Sequence, residues 1–127
     1  MAAMNKYQFA VDVRTQYLED ESQPDQDRYV WAYTITVRNT GQVAAQLISR
    51  HWIITDADDD VQEVRGLGVV GHQPLLQPGE SFEYTSGTSL TTPSGTMHGE
   101  YYCTAEDGTQ FEVPIPVFGL YLPNMLH

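Results

Sequence analysis

From Tyr7 onward the odd positions Tyr7, Phe9, Val11, Val13, Thr15 and Tyr17 alternate with Gln8, Asp12, Arg14 and Gln16. A period of two sends successive side chains to opposite faces, so the spacing predicts a half-buried β-strand over residues 7–17. Residues 18–28 are acidic and include Pro24, which predicts a solvated connection without structure of its own. Tyr29, Trp31, Tyr33, Ile35 and Val37 resume the alternation, and Asn39-Thr40-Gly41 supplies turn chemistry before Val43. Over residues 43–55 the phase breaks, with Val43, Ala45 and Leu47 on odd positions but Trp52 and Ile54 on even ones. One register cannot bury both sets, so a bulge or an inter-sheet crossing is expected near residues 49–51.

Asp56 to Asp60 reads as an acidic turn, residues 61–64 as a short strand, and residues 66–79 as a Gly- and Pro-punctuated excursion too long for a simple hairpin. Alternation returns through Phe82 and Tyr84, through Tyr101, and, after the turn Glu106-Asp107-Gly108, through Phe111, Val113 and Ile115. Pro114 and Pro116 lack amide donors, which restricts this last strand to an edge or a bulge. No helical period of 3.6 is sustained and no repeat is present, so the pattern predicts one all-β domain over residues 1–127. About seven strands point to an immunoglobulin-like or fibronectin type III-like two-sheet β-sandwich. Its predicted core contains Phe9, Val11, Trp31, Tyr33, Ile35, Phe82, Tyr101 and Phe111.

Composition narrows the partners. Seventeen acidic against six basic residues give a formal charge of −11, so nucleic acid and anionic membranes meet repulsion over most of the surface. No stretch approaches the ~18 apolar residues of a membrane span, and the N-terminus, Met1 to Lys6, has no apolar leader. Cys103 is the single cysteine, which excludes an internal disulfide and predicts a cytoplasmic protein; the sandwich is expected to be monomeric or weakly dimeric.

Candidate chemistry concentrates in one place. Gly66-Leu67-Gly68-Val69-Val70-Gly71 has the G-x-G-x-x-G spacing that lets backbone approach a pyrophosphate, but Pro74, Pro78 and Gly79 follow where a dinucleotide site needs a helix. Two readings stay open. Loop amides flanked by Arg65 and His72 form an anion nest, or the glycines supply positive φ and close packing while Val69, Val70, Leu75 and Leu76 tuck onto the core. Asp56, Asp58 and Asp60 resemble the start of a calcium loop, but Val61 stands where its Gly belongs and Leu67 where its Glu belongs. His51, His72, His98 and His127 are scattered, and Ser86-Gly87 and Ser94-Gly95 form no nucleophile elbow. Neither catalytic residues, nor a metal set, nor a cofactor is expected.

The segments 28–34, 50–55, 64–74, 78–80, 84–87, 92–97 and 115–118, with the tail from Pro123 to His127, closely resemble the bacterial ApaG family over essentially the whole chain. The resemblance implies a fibronectin-like sandwich, a name associated with cobalt and magnesium efflux, and related domains inside eukaryotic interaction proteins, with no established catalytic residue. Asp59 stands where relatives often have Gly, and Cys103 where Met is usual. The resulting expectation is a protein-interaction module with an unidentified partner, linked only indirectly to cobalt or magnesium. Its candidate binding loop is Arg65, Gly66, Gly68, Val69, Val70, Gly71 and His72, with Leu67 as a further anchor. The alternative is a binder of a small phosphate-containing anion such as pyrophosphate or a dinucleoside polyphosphate.

Overall fold

Each strand that alternation predicts is present in the computed structural model, which describes residues 5–123; His127 and most of the family-like tail lie outside the described residues. The strands are β1 (Phe9–Tyr17), β2 (Tyr29–Asn39), β3 (Ala45–Asp56), β4 (Val61–Leu67), the two-residue β5 (Leu75–Leu76), β6 (Ser81–Leu90), β7 (Gly95–Ala105) and β8 (Gln110–Leu120). β5 falls inside the excursion predicted over residues 66–79, because two residues carry no readable period. The acidic connection also differs from expectation: it holds single 3-10 turns at Glu19–Glu21 and Pro24–Gln26. Pro24, with its fixed φ, starts the second turn, and the Ser22 hydroxyl donates to the Leu18 carbonyl across the first.

The strands form two antiparallel sheets, β1-β2-β6 and β4-β3-β7-β8, with β5 continuing the β4 side of β3. Their inner faces build the core. Ile35, Val37, Leu47, Tyr101 and Leu120 are fully buried there, and Trp52 packs edge-on against Tyr33 at 5.4 Å and Phe118 at 5.8 Å. Of the predicted core, Phe9, Trp31, Tyr33, Ile35 and Tyr101 are buried, while Val11, Phe82 and Phe111 are half-buried and packed against it. The Trp31 indole N–H is not stranded, since it donates to the Tyr121 carbonyl at 2.9 Å.

Two bulges settle the phase problems. The register of β3 on β7 shifts between Leu47 and Ser49, which adds Ile48 and turns Leu47 and Trp52 to the same face. The expected break is therefore a bulge, not a crossing, one residue earlier than its predicted span. A second shift opposite Met97 and Gly99 accommodates an extra residue in β8 beside Pro116, and β8 is an edge strand, where proline costs no ladder bond.

Candidate functional site

Residues 65–72 alternate between two environments before they turn. Arg65 and Leu67 lie on the outer face of β4, opposite His51 and Ser49 of β3. Gly66 lies on the inner side, and the reason for glycine there is Arg50: a Cβ would sit 2.8 Å from its guanidinium carbon. Through that gap Arg50 Nη1 donates to the carbonyls of Leu67 at 3.0 Å and Gly68 at 2.9 Å, which ties off the end of β4.

Beyond β4 the chain makes a two-residue turn. Val69 N–H donates to the His72 carbonyl at 2.8 Å and His72 N–H returns to Val69 at 2.9 Å, with Val70 (φ 43°) and Gly71 (φ 83°) between them, as in a primed hairpin turn. Gly71 meets no strain there, whereas a β-branched residue at positive φ is an outlier. Val69 is buried in the core, so it anchors the turn and is unavailable as the contact residue that the candidate loop makes it. Val70 does the opposite. Packing of the loop onto the core would tuck it inward together with Leu75; both are exposed, at 50% and 58%, while Leu76 alone of the Leu75–Leu76 pair is buried. The His72 ring packs 5.5 Å from Phe82 of β6, so the turn spans the gap between the sheets.

Three amides of the glycine loop are committed within the chain. The amides of Val69 and His72 bond each other's carbonyls, and Gly68 N–H donates to Ile48 at 2.8 Å. Arg65 points to the outer face, where Glu63 stands 3.7 Å away. The acidic turn is also committed, for Asp56 Oδ1 accepts from the amides of Asp58 and Asp60. Asp59 has φ 66°, a position that explains the family's glycine. Among the described residues no three His, Cys, Asp or Glu side chains converge as a metal site.

Sequence reasoning missed a polar chain on the outer face of the larger sheet. His51 Nε2 lies 2.7 Å from Glu63 Oε1, its Nδ1 lies 3.1 Å from Glu100 Oε1, and the Tyr102 hydroxyl donates to that Glu100 oxygen at 2.7 Å. A neutral imidazole has one N–H and cannot donate to both carboxylates. The hydrogen bond to Glu100, then that to Glu63, therefore holds His51 above its ordinary pKa. Burial pushes Glu100 upward, but the bonds from His51 and Tyr102 outweigh it and leave the carboxyl below its usual range. Beside this chain lies a depression of about 320 Å³ lined by Ser49, Arg50, Arg65, Gly66, Leu67 and Tyr102. The only signal for the network was the phase that puts Glu63, His51 and Glu100 on outward positions; their meeting depends on register.

Comparison with known proteins agrees in sequence and in shape. The ApaG domain family matches residues 19–105. The protein is 65% identical over 124 residues to Protein ApaG of Ralstonia nicotianae, covering 98% of this chain and all of that one. It is 63% identical over 127 residues to Protein ApaG of Thiobacillus denitrificans, covering both chains in full. A crystal structure of an ApaA protein from Bordetella pertussis superposes with a TM-score of 0.93 at 56% identity, covering 97% of this chain and 100% of that one.

Proposed function

The chain belongs to the ApaG family, and from that premise we propose that it is a non-enzymatic binding domain whose partner is another protein, met at the Val70 turn. The observation that carries this reading is Val70 itself. Its exposed, β-branched side chain sits at φ 43° where glycine would be unstrained, with exposed Leu67 and Leu75 on the same edge. Strain at a solvent-facing apolar tip is retained where the side chain has something to touch. The phosphate reading has less support, because the Gly68, Val69 and His72 amides are already bonded within the chain. We further read the three-plus-five sandwich as fibronectin type III-like, its address as cytoplasmic, and any link to cobalt or magnesium as indirect, through the partner.

The test is affinity capture from lysate with immobilised wild type and Val70→Asp, each first checked for its fold by amide NMR. The expected outcome is a protein retained by wild type and reduced about tenfold or more by the charged variant, since a buried unpaired carboxylate costs upwards of ~1.4 kcal/mol. Equal retention by both, or saturable pyrophosphate shifts at Gly66, Gly68 and Gly71 that vanish in Arg65→Ala, would overturn it.

A further inference from the structure

β4 is an edge strand, and its outward groups can be identified from the ladder. Gly68 N–H donates to Ile48 and Asp56 N–H donates to Asp60, which fixes the phase of the β3–β4 pairing at both ends. In an antiparallel ladder hydrogen-bonded pairs alternate with open ones. Gly66, Val64 and Gln62 therefore spend their N–H and C=O groups on β3, while those of Val61, Glu63 and Arg65 point away from the sheet. The outward residues Val61, Glu63, Arg65 and Leu67 also hold their side chains on the outer face. Val61 is 62% exposed and Leu67 76% exposed. The opposite edge of this sheet, β8, carries Pro114 and Pro116, which blunt strand addition; β4 has neither proline nor lysine.

We infer that the free edge of β4 receives β4 of a second copy of this chain, antiparallel about a two-fold axis at Val64. Two sheets of four long strands then become one of eight. The sequence of the edge selects this register. Outward backbone groups must face outward ones, which allows Glu63 to oppose Val61, Glu63, Arg65 or Leu67 of the second copy; against Val61 only residues 61–63 of the two strands overlap and no unlike charges meet. Glu63 on Glu63 sets like charges together and leaves Val61 facing Arg65. Glu63 on Leu67 does the same to Arg65. Glu63 on Arg65 pairs unlike charges twice, pairs Val61 with Leu67 twice, and lays Val64 on Val64. The edge is complementary to itself in charge and in apolarity in this one register, and Arg50, on the carbonyls of Leu67 and Gly68, marks its end. The pairing rests on β4 and stands apart from the fate of the Val70 turn.

Sedimentation equilibrium at about 0.15 M salt screens the mutual repulsion of two −11 chains over a Debye length of about 8 Å while leaving contact pairs intact. Wild type is expected to shift from monomer toward dimer mass as concentration rises to roughly 1 mM. Glu63→Arg sets arginine against arginine at both charged pairs of the two-fold, and Arg65→Glu sets glutamate against glutamate there, so each variant alone should dissociate about tenfold or more readily. An equimolar mixture of the two restores both unlike pairs and should recover the dimer. Because Glu63→Arg also removes a bond to His51, the mixture is the arm that a purely intrachain effect would not move. A wild type monomeric throughout, single variants that dimerise as well as wild type, or a mixture that stays monomeric would each overturn the inference.

Discussion

Tyr84 of β6 and Tyr101 of β7 meet hydroxyl to hydroxyl inside the core and so join the two sheets by a hydrogen bond. Burial raises both phenols, so neither ionises near neutrality. Removing one partner strands the other's hydroxyl in an apolar site, whereas removing both does not. Tyr84→Phe should therefore cost about 1–3 kcal/mol in urea unfolding, and Tyr84→Phe with Tyr101→Phe should cost less than the sum of the two single changes; additive losses would mean that the hydroxyls do not depend on each other. Alternation marked these tyrosines as inward-facing, but not as partners 17 residues apart. The glycines show the converse limit. Gly66, Gly68 and Gly71 spell a phosphate-loop spacing, yet one makes room for Arg50, one for the His72 carbonyl, into which a Cβ would run, and one completes a turn.

At the scale of elements, the His51 chain binds three strands, with Glu63 on β4, His51 on β3, and Glu100 and Tyr102 on β7. The folded pKa of His51 lies above the ordinary 6.5. The stabilisation from its charged form is therefore fully present below about pH 6.5 and is lost as pH rises through the folded pKa. Glu100→Gln should move the His51 titration, followed by ring NMR, downward and flatten this part of the pH dependence; an unshifted midpoint would show that Glu100 does not hold the proton. Strand existence was legible because Tyr29 to Val37 and their like keep a strict period of two. The Ile48 bulge was legible as a phase conflict between Leu47 and Trp52. The pairing of Glu63 with His51 was not, since a one-residue slip exchanges every outward side chain for an inward one and nothing local forbids it.

For the whole molecule, the formal charge is −11, and of the six large apolar side chains exposed among the described residues three, Leu67, Val70 and Leu75, lie at the turn between β4 and β5. The glycines and prolines marked that region as a long excursion but could not tell which valine faces out, because Val69 and Val70 are adjacent and only the turn that begins at Val70 sends them to opposite sides. On the proposed function, partner proteins are met there and not on the smaller sheet. The most direct measurement installs a photo-crosslinking side chain at position 70, and as control at Asp12, which is exposed on β1, and irradiates living cells. Discrete protein adducts from position 70 and none of the same size from position 12 are the predicted result; no adducts from position 70, or matching adducts from both, would contradict it.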